Sequence, residues 1–310
     1  MAEIHVIFGT GPLGKSTARE LVKRGVTVRM VNRTGKAERI PAGAEVIASD
    51  AYDAAQNIAI TKGAEAVYQC AQPKYHEWAE KFPSLQGAIL EAAAKNRAKF
   101  IVGDNLYMYG QFTGILREGS PINPNTKKGQ VRAAMAQAVL EAHAAGKVRA
   151  VIGRASDFFG PDDYDLTGYA ILPAVQGKTA NLLGRIDQPH SFTYAADFGR
   201  LLATLGTHDE ALGQVWFAPT NPPITQAEFM QLIEAELGRP VKTRVGGALM
   251  MRFLGLFNKE MAETVEMMFA WTNPYVIDSS KAAHAFGLQP TPMEQAIRET
   301  VEWCREIPKN

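Results

Sequence analysis

The sequence has little cysteine, no long apolar run and no excess of charge of one sign. Only Cys70 and Cys304 occur in 310 residues, whereas exported chains commonly carry sets of paired cysteines. We therefore expect a cytoplasmic protein. The charged residues nearly cancel, with 33 Lys+Arg against 32 Asp+Glu, and no basic stripe stands out. This balance argues against nucleic acid as a partner.

The sequence also has no pattern typical of an export signal, a membrane span or a metal site. The longest apolar stretches, 246–251 and 253–257, are split by Arg252 and fall far short of the ~20 residues that cross a bilayer. No basic segment precedes the first apolar run at residues 4–8, so we expect no signal peptide and no membrane partner. No His, Cys, Asp or Glu cluster has metal-ligand spacing, so no metal is expected.

Short β-branched runs alternate with longer helical patterns through the first half of the chain. This alternation predicts an α/β fold, with a Rossmann-type doubly wound parallel sheet. The regularity fails after Gly153, which predicts a smaller, mixed C-terminal substrate-binding lobe. The predicted strands are Ile4–Phe8, Val26–Val31, Glu45–Ile47, Ala66–Cys70, Lys99–Val102 and Val148–Ile152. The predicted helices are Lys15–Arg24, Asp53–Thr61, Leu85–Asn96, Lys127–Ala145, Asp197–Leu205, Gln226–Leu237, Glu260–Trp271 and Met293–Glu306.

A glycine-rich loop, Gly9-Thr10-Gly11-Pro12-Leu13-Gly14, follows the first predicted strand. It fits G-x-G-x-x-G, in which the glycines let the backbone approach a pyrophosphate at a helix N-terminus. With Lys15 and Ser16 the same residues also fit the P-loop pattern G-x-x-x-x-G-K-[ST], and Phe100–Asp104 offers a Walker-B-like strand. Pro12 has no N–H for a phosphate cradle. The loop therefore favours a dinucleotide over a nucleoside triphosphate.

The residues after the second predicted strand bear on the choice of cofactor. An NAD enzyme commonly places an acidic residue here to hold the ribose 2′-hydroxyl. This sequence has Asn32 and Arg33 instead, and a guanidinium suits a 2′-phosphate. The pattern predicts NADP(H), although Arg33 as a solvated surface residue is the simpler alternative.

These motifs and their order resemble the extended short-chain dehydrogenase/reductase family, also described as the NAD-dependent epimerase/dehydratase family. The likeness runs through almost the whole chain. Ser49-Asp50-Ala51 is similar to the pair that meets the adenine, and Ala71-Gln72-Pro73 to the lining of the ribose and phosphate channel. The segment from Arg154 to Pro161 is similar to R-P-x-x-x-Y-G-P beside the nicotinamide. The resemblance implies cofactor contacts at Asp50, Ala51, Ala71, Gln72, Ala155 and Ser156.

The resemblance extends to the later part of the chain. The segment from His190 to Asp197 is similar to the one that returns to the main domain, and 278–292 to the closing motif. Residues 105–110, with Lys128-Gly129, resemble a bacterial epimerase-like subgroup. These likenesses imply an NADP-binding Rossmann domain over residues 1–153. Residues 154–310 would then be mainly the substrate-binding lobe, with segments near 190–218 returning to the Rossmann domain.

The chain departs from the family at the catalytic positions. Family enzymes use a Tyr-x-x-x-Lys pair, in which the tyrosine exchanges a proton. Alignment on the helix puts Lys128 at the tyrosine position and Arg132 at the lysine position. The family's Ser/Thr falls at Asp104 or Asn105. Two of the three catalytic positions therefore carry different chemistry.

Three explanations stay open for this departure. Tyr107 could protonate the substrate after activation by a cation such as Lys128, with Asn105 beside it; Tyr107 is equally well a pocket-wall aromatic. Lys128 itself could donate the proton, or contact only the ribose or phosphate. The chain could instead have kept the cofactor as a ligand only, as in NADP-sensing members of the family.

Aromatic residues near the strand ends are candidates for the substrate site. Tyr75, Trp78, Tyr107, Phe159 and His190 are predicted to shape it. With methionines across 250–271, they favour a small or apolar carbonyl or enone compound. The main hypothesis is thus an NADP(H)-dependent oxidoreductase, as a monomer or homodimer. A sugar-type epimerase or dehydratase is the alternative, and Arg185 and Arg252 are the few cations for its diphosphate.

Overall fold

The computed structural model of the protein describes residues 3–257 and 259–308. Its centre is a seven-stranded sheet in the order β7-β6-β5-β4-β1-β2-β3, and all neighbouring strands are parallel. This is the Rossmann order extended by one strand, so the predicted fold class is confirmed. The strands are β1 Ile4–Phe8, β2 Thr27–Asn32, β3 Ala44–Ala48, β4 Ala66–Gln69, β5 Lys99–Asp104, β6 Arg149–Arg154 and β7 Val215–Phe217.

Helices cover both faces of the sheet and build the second lobe. They are α1 Pro12–Lys23, α2 Ala54–Ile60, α3 Trp78–Lys95, α4 Lys127–Ala144, α5 Leu172–Val175, α6 Ala195–Thr207, α7 Gln226–Leu237, α8 Ala248–Gly255, α9 Lys259–Thr264, α10 Phe269–Thr272, α11 Ser280–Phe286 and α12 Met293–Arg305. Short strands pair as Ile115–Leu116 with Val276–Ile277, Phe158–Phe159 with Thr193–Tyr194, Ala180–Leu183 with Thr243–Gly246, and Pro189–His190 with Ile224–Thr225. Within the described residues, no helix is both long and apolar enough to span a membrane.

The central strands β1, β4, β5 and β6 are buried on both faces of the sheet, which explains their nearly continuous apolar sequences. In β1, Val6 and Phe8 join the core beneath α3 and α4, and Ile7 joins the core beneath α1 and α6. α6 crosses α1 closely, since a Cβ on Gly199 would lie 2.5 Å from the backbone carbon of Ser16. The sheet thereby fixes the carboxyl ends of its strands at one edge.

Two predicted helices were wrong in extent. The helix predicted over Glu260–Trp271 is broken after Thr264 by a 3₁₀ turn, Val265–Met267, where two β-branched residues lower helix propensity. The helix predicted from Leu85 begins at Trp78 and contains Pro83. Trp78 is 4% exposed and Phe82 is 2% exposed, so core packing offsets the hydrogen bond that proline costs.

Candidate functional site

The glycine-rich loop is closed on one side and open on the other. A Cβ on Gly9, whose φ is +117°, would lie 2.7 Å from the Ala71 nitrogen, and a Cβ on Gly14 would lie 2.1 Å from the Gly9 oxygen. A Cβ on Gly11 would meet nothing within 4 Å. The loop therefore packs against the end of β4 and leaves its backbone open at Gly11. That shape fits the pyrophosphate of a dinucleotide.

The helix after the loop begins at Pro12, with Gly11 as its N-cap and no side chain capping it. Lys15 points elsewhere: its Nζ donates to Asp162 Oδ1 at 2.7 Å, and Arg19 Nη2 donates to Asp162 Oδ2 at 2.6 Å. A P-loop lysine must reach a phosphate. The triphosphatase alternative is therefore not supported, because its lysine is neutralised by a buried carboxylate and the strand order is that of a Rossmann fold.

Asn32 shapes the turn after β2. Its Nδ2 donates to Thr10 Oγ1 at 3.0 Å and to the Lys36 oxygen at 2.8 Å, and its Oδ1 accepts from the Gly35 nitrogen at 2.8 Å. Arg33 and Lys36 are exposed on this turn. Asn32 thus ties the turn to the glycine-rich loop, and the turn presents Arg33 and Lys36 at the surface.

The other predicted cofactor residues lie at the same edge of the sheet. Asp50 is exposed, and its Oδ1 accepts from the Tyr52 nitrogen at 3.1 Å. Ala51 packs against the core under α3, as does Ala71, and Gln72 is exposed. The residues from the ends of β1, β2, β3 and β4 therefore line one crevice, as the topology of such a sheet requires.

Where the sequence resemblance placed the family's catalytic residues, at the end of β5 and the start of α4, the structure has a buried ionic cluster. Arg132 Nε on α4 donates to Asp104 Oδ1 at 2.7 Å, and Arg154 Nε donates to Asp104 Oδ2 at 3.0 Å. The exposures are 6% for Asp104, 3% for Arg132 and 2% for Arg154. Arg154 Nη1 also donates to the Tyr109 hydroxyl at 2.7 Å. This cluster joins the ends of β5 and β6 to α4.

Lys128, one turn before Arg132, is bound by acidic residues from the second lobe. Its Nζ contacts Glu263, donates to Glu266 Oε1 at 2.9 Å and lies 4.4 Å from the centre of the Tyr75 ring. Glu266 Oε2 also accepts from the Lys127 nitrogen at 3.1 Å. Both carboxylates lie on or next to α9, so α9 covers the start of α4.

Tyr75, Trp78 and Tyr107 form an aromatic group beside Lys128. The Tyr75 hydroxyl donates to the Tyr107 hydroxyl at 3.4 Å, and Trp78 stacks on Tyr107 with ring centres 6.0 Å apart. Burial, and secondly the charge of Asp157, raise the pKa of Tyr107. This direction is opposite to the activation by Lys128 that the sequence suggested. Tyr107 is suited to donate a hydrogen bond as a neutral phenol. Asn105 Oδ1 accepts from the Tyr107 nitrogen at 3.1 Å and positions it.

His190 is hydrogen-bonded to the carboxylate of Asp157, which lies just after β6. Its Nε2 donates to Asp157 Oδ2 at 3.0 Å, and its ring is 3% exposed and stacks on Trp271 at 4.5 Å. Ser156, next in the chain to Asp157, is 4% exposed, and its hydroxyl has no hydrogen-bond partner among the described residues. A buried, unpartnered hydroxyl at the predicted nicotinamide segment fits a bound cofactor.

Besides the buried Trp78, two further residues predicted for the site are core residues in the structure. Phe159 is fully buried between Tyr194 and Phe229, because the short strand that carries it turns its side chain into the second lobe. Ala155 is 3% exposed in the core under α1 and α6. Arg185 pairs with the exposed Asp187, and the side chain of Arg252 lies outside the described residues.

The sequence interpretation missed the carboxylates of the site. Asp157, Asp162, Glu263 and Glu266 bind residues at least 33 positions away in the chain. No local spacing marks them, since their partners come from distant parts of the chain. The one available signal was the position of Asp157 and Asp162 within and just after the segment that resembles R-P-x-x-x-Y-G-P.

Comparisons with known proteins agree with this architecture. The sequence model of the NAD dependent epimerase/dehydratase family matches residues 4–216. The structure is similar to the dTDP-glucose 4,6-dehydratase of Streptomyces venezuelae bound to NAD, with TM-score 0.79, 17% identity and coverage of 98% of this chain and 97% of that one. It is also similar to the UDP-glucuronic acid 4-epimerase of Bacillus cereus in complex with NAD, with TM-score 0.78, 16% identity and coverage of 98% and 99%.

A curated plant protein is a further relative. The 3beta-hydroxysteroid-dehydrogenase/decarboxylase isoform 2 of Arabidopsis thaliana is 23% identical over 301 residues, covering 83% of this chain and 51% of the relative. The chain thus spans about half the length of the curated relative that it matches. At 16–17% identity, the solved structures show that the fold is shared. The family model matches residues 4–216, which is most of the chain, and it is this match that shows the family.

Proposed function

Since the chain belongs to the NAD-dependent epimerase/dehydratase family, we propose that it binds a nicotinamide dinucleotide and uses it to exchange a hydride with a small-molecule substrate. One observation carries the proposal. Gly9 and Gly14 are fixed by backbone contacts, and Gly11 is open to space at the N-terminus of α1. When bound there, the cofactor would accept or supply the hydride at its nicotinamide ring.

We propose NADP(H) as the preferred form of the cofactor. Arg33 and Lys36 are exposed on the turn after β2, and Asn32 stands where an acidic residue would favour NAD. Among the described residues no carboxylate forms an ion pair with Arg33, so its guanidinium is free for a 2′-phosphate. Thr10, Pro12, Leu13, Asp50, Ala51, Ala71, Gln72 and Ser156 complete the proposed cofactor set.

The domain division and location belong to the same proposal. Residues 1–153 would bind the cofactor and residues 154–310 would mainly bind substrate, with segments near 190–218 returning to the first domain. The pairing of β7 with β6 and the packing of α6 on α1 support this return. The cytoplasm is the proposed compartment, since Cys70 and Cys304 are both free thiols.

The substrate class is proposed from the comparisons. The solved neighbours are a dTDP-glucose dehydratase and a UDP-glucuronic acid epimerase, which favours a sugar-type compound over the small carbonyl or enone expected from the sequence. The curated relative is named for a 3β-hydroxysteroid, and the aromatic group of Tyr75, Trp78 and Tyr107 would suit such an apolar ring. In either case Tyr107 would donate to the substrate oxygen, and Lys128 would approach it once released from Glu263 and Glu266.

A second candidate is a dinucleotide-binding protein without hydride chemistry. The observation that favours it is Arg132, which takes the place of the ribose-holding lysine and is committed to Asp104. The residue aligned with the family's tyrosine is Lys128, whose ammonium group contacts two carboxylates. This candidate would bind the dinucleotide at the same site as the enzyme proposed above, but it would not convert a substrate.

Calorimetric titration of the purified protein with NADPH, NADH and ATP tests the cofactor assignment. We expect Arg33→Ala to weaken NADPH binding roughly 10-fold, the loss of one charge-assisted contact, and to leave NADH binding unchanged. Arg29→Ala is the matched control, since Arg29 lies on β2, just before Arg33, and pairs with Glu45 of β3. ATP binding without NADPH binding, or equal loss for both dinucleotides, would contradict the assignment.

Turnover assays separate the two candidates. Protein with NADP⁺ or NAD⁺ is given UDP-glucose, UDP-glucuronic acid, dTDP-glucose and a 3β-hydroxysteroid, and product is followed by mass spectrometry together with absorbance at the nicotinamide band. Net cofactor reduction indicates a dehydrogenase, and sugar conversion without net reduction indicates an epimerase or dehydratase. Tight cofactor binding with no conversion of any compound supports the non-catalytic candidate.

A further inference from the structure

The hydrogen-bonded pair of Asp157 and His190 lies at the carboxyl edge of the sheet, where ligands of doubly wound folds bind. Asp157 follows β6 by three positions, and its backbone oxygen accepts from the Thr193 nitrogen at 3.1 Å. His190 comes from the returning segment of the second lobe, and its Nε2 lies 3.0 Å from Asp157 Oδ2. The pair therefore joins both parts of the molecule at the proposed substrate site.

The two members of the pair differ in exposure. The His190 side chain is 3% exposed and the Asp157 side chain is 23% exposed. The imidazole is held between aromatic rings, with Trp271 at 4.5 Å and an interplanar angle of 8°, and Tyr275 at 5.4 Å. The histidine is fixed and enclosed, and the carboxylate is the member that solvent or a ligand can reach.

Asp157 retains an oxygen for a substrate. Oδ2 is bound by His190, while Oδ1 has no hydrogen-bond partner among residues 3–257 and 259–308. Its charge contributes, after burial, to raising the pKa of Tyr107 and Tyr275. Tyr75 is affected in the same direction. A carboxylate with one oxygen anchored by a histidine and the other open has the geometry of a general base.

We propose that Asp157 is the proton-exchanging residue of this site, with His190 as its positioning residue, in place of the family's tyrosine and lysine. This rests on the proposed function. In the oxidising direction the substrate O–H bond breaks and its proton passes to Asp157 Oδ1. The carbon–hydrogen electron pair leaves as hydride to the oxidised nicotinamide dinucleotide, and the C–O single bond becomes a carbonyl. In the reducing direction Asp157 returns the proton to the carbonyl oxygen.

This assignment resolves the departure at α4. Lys128 and Arg132 are bound to carboxylates, and burial raises the pKa of Tyr107, which keeps it a neutral phenol that does not take up the substrate's proton. Asp157 supplies the acceptor that these three lack. Substrate oxygen between the Tyr107 hydroxyl and Asp157 Oδ1 would be hydrogen-bonded by the first and deprotonated by the second.

The test uses the compound that the wild-type protein converts in the turnover panel. We expect Asp157→Asn to lower kcat by ~10²–10⁴-fold, the usual contribution of a general acid–base group, with the dissociation constant for NADPH unchanged. Asp165→Asn is the matched control, because Asp165 is exposed in the same segment and its charge also acts on Tyr107. Asp165→Asn is expected to keep wild-type kcat.

Chemical rescue distinguishes proton exchange from support of the fold. Formate added to Asp157→Ala should restore part of kcat, since a free carboxylate can accept the proton, whereas a structural role gives no rescue. His190→Gln should lower kcat with KM little changed, because the substrate site keeps its shape while Asp157 loses the partner that positions it.

The outcomes separate this inference from the proposed function. Wild-type turnover that persists in Asp157→Asn overturns the role of Asp157 and leaves the proposed function standing. Loss of turnover without formate rescue in Asp157→Ala also overturns it. Wild-type protein that binds NADPH and converts none of the panel overturns the proposed hydride chemistry, and the role of Asp157 with it.

Discussion

The glycine-rich loop and the start of α4 lie at the same edge of the sheet but are built in different ways. The loop is a backbone structure, in which Gly9 and Gly14 are set by contacts with main-chain atoms. The start of α4 is a side-chain structure, in which Lys128 and Arg132 are bound by Glu263, Glu266 and Asp104. A backbone site keeps its shape when surrounding side chains change, whereas a side-chain site changes its chemistry with each substitution. Substitutions at the start of α4 can therefore change its chemistry while the glycine-rich loop keeps its shape.

The largest effect should come from breaking the ionic cluster. Asp104→Asn leaves the guanidinium groups of Arg132 and Arg154 buried beside a neutral amide, and Arg132 Nη1 already has no partner among the described residues. We expect a loss of ~3–5 kcal/mol in the free energy of unfolding, the usual result of removing one partner from a buried ion pair. Urea unfolding at pH 7 measures it.

The control for that variant is the exposed Asp50. Asp50→Asn should change the free energy of unfolding by less than ~0.5 kcal/mol, as for most surface substitutions. A loss of less than ~1 kcal/mol in Asp104→Asn, below the usual range for a buried pair, would show that water or rearrangement replaces the carboxylate. The packing at the start of α4 would then depend less on its ionic side chains than the contrast with the glycine-rich loop implies.

Substitutions in the loop should separate folding from binding. Gly14→Ala places a Cβ 2.1 Å from the Gly9 oxygen, so we expect ~1–3 kcal/mol of destabilisation from overpacking together with loss of dinucleotide binding. Gly11→Ala meets no atom within 4 Å, so its melting temperature should match the wild type while NADPH binding weakens. Thermal unfolding and calorimetry measure the two properties. Unchanged NADPH binding in Gly11→Ala would show that the open side of the loop is not the pyrophosphate site.

A pH-dependent effect is expected in the second lobe. Asp163 is 1% exposed, and burial raises the pKa of its carboxyl to about 7, well above its ordinary range. The Asp163 carboxyl of the folded protein therefore keeps a proton that the same carboxyl of the unfolded chain releases between pH 4 and 7. The free energy of unfolding accordingly falls as pH rises through this window. Relative to Asp163→Asn, we expect the wild type to lose ~2–4 kcal/mol from pH 4.5 to 7. Parallel urea-unfolding profiles for the two proteins would contradict the raised pKa.

The smallest effect should come from the contact between α9 and α4. Lys128 is 4% exposed and Glu266 is 25% exposed. We expect a double-mutant cycle of Lys128→Gln and Glu266→Gln to give a coupling of ~1 kcal/mol in the free energy of unfolding. Glu302→Gln, on the exposed side of α12, should show no coupling to Lys128→Gln. A coupling energy of zero for Lys128 and Glu266 would mean that their contact adds nothing to the free energy of unfolding.

The sequence was informative where structure depends on local pattern. The first six strands were placed within two residues, because a parallel sheet buried on both faces gives continuous apolar runs. The loop at Gly9–Gly14 was found because tight turns demand glycine at fixed spacing. β7 was anticipated only as part of a returning segment, and the break after Thr264 was missed because helical periodicity continues through it.

The candidate site was less accessible to sequence reasoning. The partnership of Lys128 with Glu266 spans 138 positions, and that of Lys15 with Asp162 spans 147. Such pairs arise only when the second lobe packs on the first. Tyr107 illustrates the consequence: its position after β5 was read correctly, but the direction of its pKa shift depends on burial and on Asp157, which no local pattern reveals.

The late position of β7 in the chain has a consequence for synthesis on the ribosome. β6 ends at Arg154 and its partner strand begins at Val215, so the edge of β6 emerges well before the strand that covers it. At ~5–20 residues per second, the intervening residues take roughly 3–12 seconds to appear. During that interval the nascent sheet exposes an apolar edge, and chaperones that bind such edges should associate with ribosomes stalled within 155–214 more than with those stalled after α6 and β7 have emerged.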